Sequence, residues 1–298
     1  MTQRQTEMHH ADADGLELRG DGDILTLLAK SQVDAAASVA CAIDQIGAGA
    51  ALMARSMESD GRLIYAAAGS SGLMALADAL ELPGTYGLSR ERIHIVLAGG
   101  PESLVDMRGG PEDDGAAAEQ AVTALAPTER DCLIAVTASG QTRFPMAAAK
   151  TARAAGAKTI GIANNSGAPL FEAVDVSICL PTPPEVIAGS TRMGAATAQK
   201  IALNMLSTLM AIHLGHVHDG YMVNLVADNE KLRERAQGIV AKVTGVDAAR
   251  AAAALDACGG SVKAAILLSS GARDARHATQ LLASHGGKIR AALATLGS

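Results

Sequence analysis

Two turns rich in glycine and hydroxyl side chains are the first feature of this sequence that could do chemistry. AGSSG at 68–72 and ASGQT at 138–142 each follow a short apolar run and lead into a helical pattern. Glycine lets backbone N–H groups approach an anion, hydroxyls add donors, and a helix N-terminus adds partial positive charge. The pair predicts a phosphate site, although either turn alone is also typical of a strand-to-helix connection with a capping serine. The predicted binding residues are Ser70, Ser71, Gly72, Ser139, Gly140, Gln141 and Thr142.

Three glutamates are the candidate acid–base groups. Glu81 lies near the end of the helical pattern after the first turn, Glu112 lies in a glycine-rich loop, and Glu185 follows two prolines. A carboxylate beside a bound carbonyl sugar can remove the proton α to the carbonyl, and a second can protonate a leaving group. Each glutamate taken alone could instead be a solvated charge, and Glu112 could cap a helix that begins at Asp113.

Other ligand chemistry finds little support in the sequence. The turns lack the GxGxxG pattern of dinucleotide folds, and GxxxxGK[ST] is absent, which argues against a nicotinamide or ATP enzyme. His213, His216 and His218 do not have HExxH spacing, so packing or a helix C-terminal charge is favoured over metal binding. These patterns therefore predict neither a nucleotide cofactor nor a metal at the three histidines.

Composition limits the partners and the compartment. The formal charge of −6, two Phe, three Tyr and no Trp disfavour a nucleic-acid partner. The four cysteines are far apart without CxxC spacing, which favours free thiols in a reducing compartment. The polar start has no signal-like segment, and no uncharged apolar run approaches about 18 residues. We expect a cytoplasmic protein that does not engage a membrane.

The elements that must position these residues follow an α/β pattern. Near-continuous apolar runs alternate with helical stretches, which predicts a parallel sheet covered by helices on both faces in three αβα layers. A long helix is predicted from 190 to about 215, with a serine cap at its start. The expected organisation is a polar extended arm over 1–22, a sugar-phosphate-binding domain over 23–242 and a small helical bundle over 243–298. The strand-like runs are 62–72, 93–100, 131–142, 158–167 and 174–183.

These segments together resemble the sugar isomerase (SIS) fold, and more closely the N-acetylmuramic acid 6-phosphate etherase family. The resemblance covers nearly the whole chain and includes the C-terminal helical region. The matching segments are GRLIYAAAGSSG at 61–72, ADALELPGTYG at 77–87, LAGGPESLV at 97–105, PEDD at 111–114, ASGQT at 138–142, PEVIAGSTRMGAATAQKIALNMLST at 184–208 and GGSVKAAILL at 259–268.

The resemblance implies an activity and an assembly. Members of the family cleave the lactyl ether of N-acetylmuramic acid 6-phosphate to N-acetylglucosamine 6-phosphate and D-lactate, a step in cell-wall recycling. The family further implies a homodimer with the sugar phosphate bound between subunits and no cofactor. Ring opening makes the C2 proton acidic, so a base can remove it, the C3 oxygen can leave with a proton from an acid, and water can then add.

The resemblance also assigns roles to residues. Glu81 matches the acid that assists lactate departure, and Glu112 matches the base at C2. Ser71, Ser139 and Thr142 match phosphate-holding positions, Ser190 and Thr191 are expected to line the site, and Glu185 aligns with the catalytic glutamate of related SIS isomerases. The chain departs from the family at Leu73, where an Arg is usual, at Gly194, where a Lys is usual, and in its N-terminal arm.

Two alternatives remain open from the sequence. One is an aldose–ketose isomerase of sugar phosphates that uses Glu185 as its base, which the presence of both Glu81 and Glu112 argues against. The other is a sensor that binds a sugar phosphate without turnover and regulates a protein partner.

Overall fold

A computed structural model describes residues 4–297 of the chain, which form two compact units. The first unit contains the described residues up to Ala79 together with Glu91–Ser207. The second contains Leu80–Arg90 together with the described residues from Thr208 onward. The chain therefore passes from the first unit to the second twice.

A five-stranded parallel sheet lies in the first unit, with the strand order β2-β1-β3-β4-β5. These strands are β1 (Leu63–Ala67), β2 (Ile93–Leu97), β3 (Cys132–Val136), β4 (Lys158–Ala163) and β5 (Val176–Cys179). Every residue of β1 and β3 is buried, as expected for central strands between two helical layers. The predicted parallel sheet is confirmed, with each strand inside its predicted run.

Helices cover both faces of this sheet. They are α1 (Asp21–Ala37), α2 (Ile43–Glu58), α3 (Gly69–Tyr86), α4 (Gly115–Ala124), α5 (Arg143–Ala154) and α6 (Gly194–His213). On one face, Gly49 of α2 leaves room for Leu206 of α6 and Ile160 of β4. On the other face, α4 and α5 bury alanines against Ile64 and Leu133. The three-layer αβα architecture is therefore confirmed, and the small side chains explain the close packing of its layers.

One helical stretch, 21–58, meets the length and composition of a membrane span among the residues that the structure describes. Its second half, α2, packs on the sheet through Ile46, Ala50 and Met53, none more than 2% exposed. A core helix of a soluble protein has the same length and apolar content. Packing on the sheet thus accounts for the apolar character of α2.

A buried carboxylate joins three elements of the first unit. The Asp78 carboxylate of α3 accepts hydrogen bonds from the Tyr65 hydroxyl of β1 (2.9 Å), the Asn204 amide of α6 (2.7 Å) and the Ser207 hydroxyl of α6 (2.8 Å). Burial raises the pKa of Asp78, while these hydrogen bonds oppose the rise. This network fixes α3 against β1 and α6.

The second unit is built mainly from helices. It contains a hairpin of β6 (Val217–His218) and β7 (Tyr221–Met222), followed by α7 (Glu230–Thr244), α8 (Ala248–Ala257), α9 (Val262–Ser269), α10 (Ala275–Ser284) and α11 (Ile289–Leu296). Short helices punctuated by glycines were expected over 243–298, and the structure confirms them. Because α7 packs on α8 and α9 through Ile239 and Val240, this unit extends well before residue 243.

A buried lysine and a histidine lie in the second unit. Lys263 is 7% exposed and its ammonium donates to the carbonyl oxygen of Gly287 (3.1 Å). Burial lowers the pKa of Lys263 to about 8. Burial, with a smaller contribution from Lys263, lowers the pKa of His216 to about 4.

In residues 4–297, no group of three or more His, Cys, Asp or Glu side chains could hold a metal ion.

Candidate active site

The start of α3 forms the first wall of the site. Gly69 has φ +54° and opens the helix two residues after β1 ends, with Ser70 and Ser71 in the first turn. The first N–H groups of a helix have no intrahelical partner and carry partial positive charge. This end of α3 therefore favours an anion, as the sequence predicts.

Three hydroxyl groups meet after β3. The Thr137 and Thr142 hydroxyls lie 2.7 Å apart, and the Ser139 hydroxyl lies 3.4 Å from each of them. Gly140 has φ +69°, and a Cβ there would lie 2.2 Å from the Cβ of Ala168, so only glycine fits the turn. The backbone of this turn thus brings the three hydroxyls close together.

Glu112 faces the start of α3. It lies half-buried in a 3₁₀ turn, Gly110–Asp113, and a Cβ added at Gly69 would lie 2.5 Å from its Oε1. Burial raises the pKa of Glu112, and repulsion from Asp113 adds to the rise. A carboxylate with a raised pKa is a stronger base once it is ionised. The cap of α4 is Asp114, whose carboxylate accepts the Ala117 N–H (2.9 Å), so Glu112 is free of that role.

The loop before α6 differs from the expected helix cap. The predicted serine cap, Ser190, is wrong, because α6 begins at Gly194. The Glu185 carboxylate instead accepts the backbone N–H groups of Gly194 and Ala195, each at 2.9 Å. Glu185 is 3% exposed, and each of its oxygens accepts one N–H at the helix start.

One cavity of about 340 Å³ is lined by six of the twelve predicted residues. Ser70, Ser71, Ser139, Thr142, Thr191 and Glu112 all line it. Gly72 lines a small adjoining pocket that shares Gly69 and Glu112. Of the other predicted residues, Gly140 and Gln141 belong to the lining loop, while Ser190 and Glu185 do not line the cavity. The binding roles of all these residues stay predictions.

The N-terminal turn forms part of the cavity wall that the sequence pattern does not predict. Residues 1–22 were expected to form an extended arm, but Gln5–Glu7 fold as a 3₁₀ turn, and Arg4, Thr6 and Glu7 line the cavity. The turn is short and polar, so it carries no periodic pattern that could have located it. Thr137, Met107 and Gly189 were also missed.

Glu81 lies farther along α3. Its side chain is exposed, and it follows Gly69 by twelve residues, about 18 Å along a helix that rises about 1.5 Å per residue. Glu81 therefore lies about three turns along α3 from the end of the helix that Glu112 faces.

Family models match both halves of the first unit. The model described as SIS domain matches residues 113–214, and the model described as glucokinase regulatory protein N-terminal SIS domain matches residues 45–153. Among solved structures, a protein from Bacteroides fragilis described as a phosphosugar isomerase involved in capsule formation aligns with a TM-score of 0.52 and 19% identity. That alignment covers 68% of this chain and 95% of the other, and it supports the fold alone.

Curated relatives extend over nearly the whole chain. An N-acetylmuramic acid 6-phosphate etherase of Deinococcus radiodurans is 43% identical, covering 97% of this chain and 95% of the relative. One of Rubrobacter xylanophilus is 38% identical with the same coverage of both chains, and one of Vibrio cholerae is 36% identical over 98% of each. Identity at this level over both units, together with the SIS-type sheet and its hydroxyl-lined cavity, shows that the chain belongs to the N-acetylmuramic acid 6-phosphate etherase family.

Proposed function

We propose that this chain is an N-acetylmuramic acid 6-phosphate etherase, a carbon–oxygen lyase that releases D-lactate and N-acetylglucosamine 6-phosphate. One observation carries the proposal: hydroxyls from two strand ends and the carboxylate of Glu112 line the same cavity in a chain of this family. The sugar phosphate is a small anion, so this cavity suits it in both size and donors.

The phosphate binds between α3 and the loop after β3 in this proposal. Ser71 at the helix start and the hydroxyls of Ser139 and Thr142 donate to its oxygens, and the positive end of α3 stabilises its charge. The net charge of −6 makes such local donors necessary, because the protein as a whole repels an anion.

Glu112 acts as the base in the proposed reaction. Ring opening of the sugar exposes an aldehyde at C1, and Glu112 takes the C2 proton that this aldehyde acidifies. The electron pair left at C2 forms a C2–C3 double bond as the C3–oxygen bond breaks. Water then adds to this double bond, with its oxygen bonding to C3, so one water is consumed for each lactate released. Burial raises the pKa of Glu112, and this makes its ionised carboxylate a stronger base.

Glu81 donates the proton to the departing lactyl oxygen, and the proposal takes it from a second copy of the chain. C2 and C3 are neighbouring carbons, so the acid and the base must lie in one small cavity. The separation of about 18 Å between Gly69 and Glu81 along α3 is too long for one chain to supply both. A homodimer with shared sites meets this requirement. Leu25 (63%) and Val33 (68%), both on α1, are exposed apolar side chains that an interface could cover.

The proposed compartment is the cytoplasm, where the enzyme would act in cell-wall recycling. The cysteines of the described residues are all free, two of them partly buried and Cys132 fully buried. Free thiols of this kind suit a reducing compartment.

The isomerase alternative is the weaker reading of the site. It needs Glu185 as a base, yet both oxygens of that carboxylate accept N–H groups at the start of α6. Glu185 also does not line the cavity, so an aldose–ketose isomerase would need its base to reach the substrate from outside that wall. The geometry therefore favours Glu112, which lines the cavity.

Incubation with N-acetylmuramic acid 6-phosphate in deuterated water tests the proposed function. Lactate release, deuterium at C2 of the unconverted substrate and deuterium at C2 of the product are measured separately by mass spectrometry. We expect lactate release and deuterium at C2 in the wild type, neither in Glu112→Gln, and in Glu81→Gln exchange at C2 with lactate release lowered about 100-fold or more. Glu102→Gln, an exposed change in the same region of the first unit, is the control and should behave as the wild type.

Two outcomes would contradict the proposal. Binding of the sugar phosphate with neither lactate release nor deuterium exchange at C2 would indicate a sensor. Formation of a ketose that persists in Glu112→Gln would indicate an isomerase. Mixing Glu81→Gln with Glu112→Gln chains tests the shared site. About half of the dimers are then mixed, and each mixed dimer has one intact site of two. The mixture should therefore recover up to about a quarter of the wild-type activity. No recovery after verified exchange of subunits would refute the shared arrangement.

A further inference from the structure

The N-terminal turn is fixed to the cavity by one buried residue. Thr6 is 2% exposed and makes three hydrogen bonds: its N–H donates to the Asn165 side chain (3.3 Å), its hydroxyl accepts from the Asn165 amide (3.1 Å) and its carbonyl accepts the Gly189 N–H (3.1 Å). The turn therefore bridges the loop after β4 and the loop before α6. The residues on either side of Thr6 are therefore held beside the cavity.

Asn165 connects this turn to the hydroxyl loop. Its amide also donates to the carbonyl oxygens of Ala138 (3.2 Å) and Ser139 (3.4 Å). Asn165 is 6% exposed, and its side chain faces polar partners on both sides. The position of the N-terminal turn is thus coupled to the loop that carries Ser139 and Thr142.

Arg4 supplies positive charge to a cavity that otherwise contains neutral and acidic groups. Among the described residues that line the cavity, it is the only basic one, and Glu7 and Glu112 are the acidic ones. The Arg4 guanidinium has five N–H donors, and within the described residues one of them donates to the side-chain oxygen of Gln141. The other donors are available to a ligand.

We propose that Arg4 is a substrate-binding residue whose guanidinium contacts an anionic group of the sugar phosphate, and that Thr6 is the positioning residue that holds it there. The inference rests on the proposed function for the identity of the substrate. Two anionic groups of that substrate suit a guanidinium, the phosphate and the lactyl carboxylate. Only the phosphate is retained in the product N-acetylglucosamine 6-phosphate, so the two are separable by experiment.

The test compares Arg4→Gln with Arg4→Lys and with Arg276→Gln, an exposed arginine change in α10. KM and kcat are measured for lactate release, and Kd for N-acetylglucosamine 6-phosphate is measured by calorimetry. We expect Arg4→Gln to raise KM about 10- to 100-fold with a smaller change in kcat, Arg4→Lys to recover part of the loss, and Arg276→Gln to match the wild type. Loss of affinity for both ligands assigns Arg4 to the phosphate, and loss for the substrate alone assigns it to the carboxylate.

Thr6→Val tests the positioning role, because valine keeps the shape and removes the hydroxyl. Thermal unfolding verifies that the variant is folded. We expect it to raise KM in the wild-type background and to have little further effect in Arg4→Gln, as for residues that act through one another. Full additivity would overturn the positioning role.

The outcomes separate this inference from the proposed function. If the wild type binds N-acetylglucosamine 6-phosphate but releases no lactate, the etherase proposal fails and the Kd values still test Arg4. If Arg4→Gln leaves both KM and Kd within about twofold of the wild type, the role of Arg4 is refuted while the etherase proposal stands. Absence of any binding by the wild type refutes both.

Discussion

Replacement of Asp78 should reveal how much the buried network in the first unit contributes to stability. Asp78→Ala leaves the buried Tyr65 hydroxyl and the half-buried Asn204 amide without their acceptor, whereas Ser207 keeps a bond to the Asn204 carbonyl (3.3 Å). An unsatisfied group costs about 1–3 kcal/mol, so we expect a loss of about 2–5 kcal/mol in the free energy of unfolding.

Asp78→Asn is the matched variant, because asparagine has the same shape. Its Oδ1 can still accept from Asn204 and Ser207, and its Nδ2 can donate to the oxygen of the Tyr65 hydroxyl. All three partners keep a hydrogen bond, so we expect a loss of about 1 kcal/mol or less. The difference between the two variants isolates the hydrogen bonds from the space that the side chain fills.

Urea denaturation followed by far-UV circular dichroism measures both variants, since three Tyr and no Trp give a weak fluorescence signal. The wild type should also lose stability as pH rises from the ordinary pKa of Asp78 to its raised value, because the folded state binds more protons in that window. Asp78→Asn should lack this dependence. Equal losses in the two variants, or a pH dependence that survives in Asp78→Asn, would refute the reasoning.

Two further predictions concern a glycine and a lysine. Gly140→Ala should lower the free energy of unfolding by about 2–4 kcal/mol and weaken sugar-phosphate binding, because the added Cβ would lie 2.2 Å from Ala168 in a positive-φ turn. Gly167 has the same φ of +69°, and no atom lies within 4 Å of a Cβ added there. Gly167→Ala should therefore lower the free energy of unfolding by only about 1 kcal/mol in the same denaturation assay. Equal losses would refute the steric argument. Because burial lowers the pKa of Lys263 to about 8, the unfolded state binds more protons than the folded state above that pH. Stability should therefore rise by about 1–2 kcal/mol between about pH 8 and pH 10.5, after allowance for screening, and Lys263→Met should abolish the rise in pH-dependent thermal unfolding.

Glu112 and Glu185 have different surroundings that their residue type does not predict. Both are glutamates in glycine-containing loops, and both were candidate acid–base groups. In the structure, Glu112 lines the cavity, whereas Glu185 accepts hydrogen bonds from the two N–H groups at the start of α6. Loop conformation decides between these outcomes, and it depends on contacts between residues far apart in the chain.

The alternation of apolar runs and helical stretches was enough to predict the parallel sheet, and the turns after β1 and β3 were enough to predict where its ligand lies. Both follow from local rules, since burial on two faces requires continuous apolar strands and the carboxyl ends of parallel strands meet at one edge. Only the tertiary structure brought Thr6 to Asn165, across 159 residues, and so made Arg4 part of the cavity. It also set Glu81 several turns along α3 from Gly69. Those placements arise from buried hydrogen bonds and helix length, which a list of residue types does not contain.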